Sequence, residues 1–261
     1  EVTRMVGHSE AALDHGTDPR QRPALGLEAG SHRPLVEDAE EVAVDTPYGE
    51  PSDRLAIGRL AGSRIAFLPR HGRGHTLPPH RINNRANIWA LRSVGVERVI
   101  GPCAVGSLRV EHPPGSIVVC HQFVDRTSGR RDTFFDGPEV AHLSAAEPYC
   151  AQLQPLAARA ARDAGLNASE GGTVVVVNGP RFSSRAESLM YAALGFDVIN
   201  MTQYPEVVLA RELGMCYVAL ALVTDYDVGL EHDPEIPAVT QEEVFAVFRR
   251  STDSLRDALR R

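Results

Sequence analysis

A single α/β domain with a central β-sheet flanked by helices is the fold that the sequence predicts, on three observations. "GTVVVVNGPRFSSRAESLMYAALGFDVINMT" (172–202) runs strand, loop, helix, strand. In it Ser184 and Glu187 have the spacing of a capping box and Gly195 closes the helix, which together make a βαβ crossover. "CYVALALVTDYD" (216–227) is apolar without alternation, as in a strand covered on both faces. A chain of 261 residues with 43% hydrophobic content can also build one large core.

The other elements follow in chain order. Residues 1–34 are rich in Gly, His, Arg and Pro and lack helical or strand periodicity. An atypical, poorly ordered segment is therefore expected at 1–35, with the folded domain over 36–261. The character changes from Val42 onward, where order should begin. "LAIGRLAGSRIAFLP" (55–69) alternates around a glycine-containing turn, as a hairpin does. "NRANIWALRSVG" spaces Ile88, Leu91 and Val94 helically and ends on Gly95. The β-branched stretches "ERVIGPCAVGSL" (97–108) and "GSIVVCHQFVD" (115–125) read as two strands. "AQLQPLAARAARDAGL" (151–166) reads as a helix closed by Gly165, and "PEVVLARELG" (205–214) as another with Pro205 in its first turn.

Composition excludes several functional classes. The net charge of -7 gives no overall basic field for nucleic acid or an anionic membrane, so positive charge must act locally. Cys103, Cys120, Cys150 and Cys216 form no CxxC pair, which argues against a zinc site or a disulfide framework and fits a reducing compartment. No apolar run approaches membrane-helix length and no signal peptide is evident. A cytoplasmic protein is expected.

In open α/β sheets ligands bind where loops leave the strand ends, which makes the residues after each apolar run the candidate site. They are Arg70 and His71 after "IAFLP", Cys103 and Ala104 after "VIGP", and Phe182 and Ser183 after "VVVVNGPR". Met201 and Thr202 follow "DVIN", and Asp225 and Asp227 follow "ALALVT". Guanidinium and hydroxyl donors on Arg70, His71 and Thr202 match the oxygens of a phosphate, and the two aspartates could hold an opposite, proton-accepting end. Plainer readings of the same residues stand beside this one. His71, His75 and His80 could bind a metal, although Gly and Pro break any helical register and no acid adjoins them. Arg70 could be a surface ion-pair residue, the aspartates a turn or cap, Phe182 and Met201 core, and Cys103 a small buried residue.

"RHG", "NIWAL", "GPCAVGSL", "DRTSGR", "AEPYC", "GPRFSSRAES", "INMT", "PEVVLARE" and "TDYD" occur in this order between about Glu37 and Arg250. Together they resemble the 5'-methylthioadenosine phosphorylase branch of the purine nucleoside phosphorylases, and "GPRFSSRAES" with "INMT" makes the likeness specific. The resemblance implies a single-domain α/β fold on a mixed sheet, a homotrimer, and attack of inorganic phosphate on C1' of a purine nucleoside. Phosphate is then a co-substrate, and neither metal nor cofactor is expected. Carried over by residue, Arg70, His71, Ala104 and Thr202 contact phosphate, with Cys103 beside Ala104, and Met201 lies by the ribose. Phe182, Ser183, Asp225 and Asp227 surround the base, His142 reaches the 5' end, and Val244 and Phe245 cover the methylthio group. The trimer interface completes the site.

Breaking a ribosyl C–N bond passes through an oxocarbenium-like state, which needs an anion near C1' and a proton for the leaving purine. Asp225 is the acid chosen for N7. Asp227 accepts from a 6-amino group, which favours adenine over hypoxanthine or guanine. S-methyl-5'-thioadenosine is thus the expected substrate. The alternatives are a phosphorylase of adenosine, inosine or guanosine, a hydrolase using water, and a catalytically weak nucleoside-binding trimer. Family members also typically carry a Gly-Gly-Ser/Thr-Gly phosphate turn after the first strand, for which "LGLEAGSH" (25–32) is a poor match. Glu28 is charged where the strand should be buried, Ala29 and His32 replace glycines, and Ser31 is left as the candidate hydroxyl. Asn84 stands where an aromatic residue is usual.

Overall fold

The hairpin expected at 55–69 is formed by two strands, which we number β3 (Leu55–Leu60) and β4 (Ser63–Phe67) to keep chain order. They pair antiparallel from Ala56↔Phe67 to Leu60↔Ser63. Ala61 and Gly62 at the turn both have positive φ (47° and 81°), the two-residue geometry whose twist matches that of the flanking strands. This computed structural model describes residues 25–27, 36–228 and 239–261 of the chain.

β2 (Glu37–Val42) pairs antiparallel with β3 at the sheet edge and exposes Glu37 to Glu41, the charged character of an edge strand that resists further pairing. Order thus begins before Val42. β1 (Leu25–Leu27) lies parallel between β4 and β5 (Arg98–Ser107), so part of the segment expected to stand outside the domain is built into the sheet. Three residues are too few to show a period; pairing on both edges makes this strand.

β5 and β11 (Cys216–Asp225), ten residues each, run parallel from Cys216↔Arg98 to Val223↔Val105, with a register shift before Asp225↔Gly106. The other edge of β5 holds β1 at 98–100 and then β10 (Val198–Asn200), antiparallel at Gly106 and Ser107. β10 continues parallel to β9 (Thr173–Val177), and β9 to β7 (Gln122–Arg126). On the far side of β11 lies β6 (Ile117–Val119), antiparallel, followed by the parallel β8 (Ala168–Glu170). The sheet is mixed, as expected. "GSIVVCHQFVD" is two strands rather than one: after Cys120 the chain leaves β11 and joins β9, with the His121 amide bonded to the Gly172 carbonyl at 3.1 Å.

Among the described residues the α-helices are α1 (Asn84–Ser93), α2 (Leu153–Asp163), α3 (Arg185–Ala193), α4 (Gln203–Glu212) and α5 (Gln241–Arg260). Asn83 caps α1 through the Ala86 amide, and the Ser184–Glu187 capping box of α3 is present in both directions. α5 has no counterpart in the sequence reading. Alternate residues of β11 serve two faces of the sheet. Tyr217, Ala219, Ala221 and Val223 pack with Ile88 and Leu91 of α1 and Val207 and Leu209 of α4. Val218, Leu220 and Leu222 pack with Ala158 and Ala161 of α2 and Leu255 and Leu259 of α5. Each fully buried Leu or Val here contributes about 1.5–3 kcal/mol relative to exposure, which is why β11 reads as an unbroken apolar run. Among the described residues no helix is long and apolar enough to cross a membrane.

Candidate active site

The candidate residues gather along the flank of β5. Among the described residues its edge between β1 and β10 pairs with no strand at 101–105, and Arg70 and Gln203 reach residues of that stretch. At one end Arg70 donates from Nη1 to the Pro102 carbonyl at 2.7 Å. At the other end is Gly106, where a side chain would lie 3.0 Å from Asp225 Oδ1 and 3.1 Å from Asp227 Cβ. Four residues at about 3.3 Å each separate these ends by about 13 Å. Cys103 and Ala104 therefore lie within β5 and not beyond its end. Pro102 does not stop the strand, because its carbonyl, and with it the nitrogen that lacks a hydrogen, faces Arg70 and away from β11, so the β5–β11 ladder is not interrupted.

At the cationic end Arg70 is only 5% exposed. Its Nε and Nη2 donate to Glu206 Oε1 and Oε2 at 2.7 and 3.0 Å, and the Tyr217 hydroxyl donates to Glu206 Oε2 at 2.7 Å. Glu206 is buried in the first turn of α4 and was not singled out from sequence; the visible signal was a lone acid in the otherwise apolar "PEVVLA". Gly101 makes room for this group, since a side chain there would collide with Tyr217 Oη. His71 Nδ1 sits 2.9 Å from the Leu77 carbonyl, which assigns the ring proton to Nδ1. Burial, with Arg70 beside it, lowers the His71 pKa to about 4, and the ring is neutral at physiological pH. His71 stacks on His75 at 4.2 Å, and His75 and Phe245 meet edge to face at 5.7 Å, which brings α5 to the loop after β4. Thr202, buried at the start of α4, does not cap it and exchanges long bonds of 3.4 Å with Asn200. Burial pushes the Cys103 thiol up to about 11; its sulfur accepts from Gln203 Nε2 at 3.4 Å.

At the acidic end Asp225 accepts from Thr224 Oγ1 at 2.6 Å and from the Asp227 amide at 2.7 Å. Asp227 is buried with a positive φ of 52°, and burial raises its carboxyl above the usual range although Ser188 and Ser183 donate to it. Ser183 and the half-exposed Phe182 come from the β9–α3 loop. Met201 lies on Gly179, where any side chain would collide with its sulfur. Arg130, in the "DRTSGR" stretch, pins both loops by donating from Nη2 to the Met201 and Asn178 carbonyls at 2.8 and 3.2 Å. One predicted residue stands apart: His142 is exposed on the loop before α2, between Val140 and Leu143, themselves 67% and 40% exposed. Val244 is half-buried in α5, and Ser31, with Glu28, Ala29 and His32, lies outside the described residues.

A mixed sheet with a buried arginine and a part-buried histidine after β4, at one end of the β5 flank, and two aspartates after β11 at the other is the frame of the site, and the chain belongs to the phosphorylase superfamily, whose family profile matches residues 25–260. Within that superfamily the chain is 55% identical over 233 residues to a purine nucleoside phosphorylase of Streptomyces coelicolor, covering 86% of this chain and 82% of that protein. It is 46% identical over 242 residues to an S-methyl-5'-thioadenosine phosphorylase of Thermofilum pendens, covering 92% and 90%. Methylthioadenosine phosphorylase from Schistosoma mansoni, solved in complex with adenine, superposes with a TM-score of 0.85 at 37% identity, covering 91% of this chain and 89% of that one.

Proposed function

We propose that the protein catalyses phosphorolysis of S-methyl-5'-thioadenosine, giving adenine and 5-methylthioribose 1-phosphate. The observation that carries this reading is the placement of a donor-rich group and a carboxylate pair at opposite ends of one stretch of β5, about 13 Å of strand apart, on one flank of the sheet. Arg70, His71 and Thr202, with Ala104, Cys103 and Ser31, hold phosphate beneath C1'. His71 contributes neutral hydrogen bonding, and the Arg70 guanidinium supplies the charge. Met201 backs the ribose and Phe182 and Ser183 flank the purine. As the C–N bond breaks, a phosphate oxygen bonds to C1' of the oxocarbenium-like ribosyl group, while Asp225, protonated beforehand from solvent or relaying through a water, gives that proton to N7 of the departing purine and Asp227 accepts from the 6-amino group. The reaction so written needs no metal or prosthetic group, because phosphate is the nucleophile and the aspartates move the proton.

Phe245, already against His75, and Val244 cover the 5' substituent. His142 serves a neighbouring subunit's site in a homotrimer, a reading supported by its exposure beside the apolar Val140 and Leu143. The thiols of Cys103, Cys120, Cys150 and Cys216 are unpaired with one another, which suits action in the cytoplasm. A second reading, a purine nucleoside phosphorylase using adenosine, inosine or guanosine, is favoured by the name of the Streptomyces relative. Product analysis with methylthioadenosine, adenosine and inosine, with and without phosphate, tests both. Adenine released from methylthioadenosine only when phosphate is present is the expected result. Release without phosphate would identify a hydrolase, and preferential turnover of inosine would establish the second reading.

A further inference from the structure

We propose that Glu206 and Tyr217 are positioning residues that set the plane and depth of the Arg70 guanidinium for phosphate, an inference that rests on Arg70 being a phosphate contact. Arginine is a long side chain whose plane is set only by what it touches. Here Glu206 takes the Nε and Nη2 edge as a fork at 2.7 and 3.0 Å, and the Pro102 carbonyl takes Nη1 at 2.7 Å. Anchors on two edges of a rigid planar group define its plane, so the arginine loses little rotamer freedom when an anion arrives. The carboxylate is itself oriented, since Tyr217 reaches across from β11 to donate to Oε2 at 2.7 Å. The absence of a side chain at Gly101 admits the Tyr217 hydroxyl beside Arg70.

Stability alone gives no account of this arrangement. Arg70, Glu206 and Tyr217 are each at most 5% exposed, and a buried ion pair commonly contributes no more than apolar packing of the same volume. Three elements, α4, β11 and β5, thus converge three buried polar groups behind one loop arginine. Orientation of that arginine is what the arrangement supplies.

Tyr217→Phe isolates the effect, because it removes the hydroxyl and leaves every charge in place; Glu206→Asp keeps the charge and shortens its reach. Steady-state kinetics on the purified full chain should show phosphate KM raised about three- to tenfold in Tyr217→Phe and about tenfold or more in Glu206→Asp. Nucleoside KM, and kcat at saturating phosphate, should stay within about twofold in both. Purely structural damage would instead lower kcat or raise both KM values together. If either pattern of damage is seen, or if phosphate KM is unchanged in Tyr217→Phe with native circular dichroism, the proposal is overturned; should Glu206→Asp fail to fold, Tyr217→Phe decides. Arg70→Lys, measured in parallel, separates the two levels. An unchanged phosphate KM there removes Arg70 from the phosphate site, whereas a raised one beside an unaltered Tyr217→Phe overturns the positioning role alone.

Discussion

His71 and Asp227 are both titratable groups held off their ordinary values by burial, and each makes a prediction whose sign follows from the direction of the shift. For His71 the folded pKa of about 4 lies below the unfolded value, so the unfolded chain takes up the proton first as pH falls. Stability should drop on acidification from about pH 6.5 toward 4, and thermal melts of His71→Gln should show a shallower drop over that window. Equal slopes would show that His71 is not the group responsible. For Asp227 the folded pKa is raised, so its ionised form opposes folding at neutral pH and the opposition fades as pH falls into the carboxylate range. Asp227→Asn should therefore melt higher than the parent at pH 7 and lose that advantage toward pH 4. The same substitution should move preference from 6-amino toward 6-oxo purines, because an amide can donate to O6 where a carboxylate only accepts. An unchanged adenosine-to-inosine ratio of kcat/KM would remove Asp227 from the 6-position.

The elements differ in how plainly the chain announces them. The 55–67 hairpin, the helices at 84–93, 153–163, 185–193 and 203–212, and the β9–α3–β10 crossover were legible, because periodicity, caps and turn glycines agree locally. β1 was not, since its pairing partners lie some forty and seventy residues downstream. Nor was the division of β6 from β7, which change partners without a Gly or Pro between them. In the site, Arg70, His71 and the aspartates stood at recognisable run ends, whereas Glu206 acquires its role only when α4 packs against β11 and β5 and meets Arg70. The β9–α3 loop offers a test at this level. Arg181 grips Glu187 through both Nη atoms at 2.7 Å, and with the Ser184 amide it holds that carboxyl down at about 2. Ser184→Ala should cost about 1 kcal/mol, a fall of about 2–4 °C in Tm, and should raise nucleoside KM because Phe182 and Ser183 ride on the same loop. An altered phosphate KM with intact nucleoside KM would contradict that placement.

For the molecule as a whole, the exposed stretch around His142 is where the proposed trimer would be tested. Val140 and Leu143 present apolar side chains to water, and burying them against a second copy would bring His142 with them. Sedimentation should give the mass of three 28.3 kDa chains. Leu143→Asp should shift that distribution toward single chains and lower kcat/KM by about tenfold or more, since a charge in an apolar interface is left unpaired. A monomeric parent with full activity would rule out the shared site.

The contact between Gly101 and Tyr217 also constrains the routes by which such a chain can change. No side chain fits at position 101 while the tyrosine ring stands opposite, because it would collide with both Oη and Cζ. A smaller residue at 217 would vacate that space, so the two positions are open to change in one order only. Tyr217→Leu first gives a weakened but folded intermediate from which Gly101→Ala becomes acceptable; Gly101→Ala first meets a packed ring and disrupts the centre of the sheet. Libraries in which both positions vary together should recover alanine at 101 only alongside a shortened residue at 217, an epistatic ratchet set by one tyrosine ring.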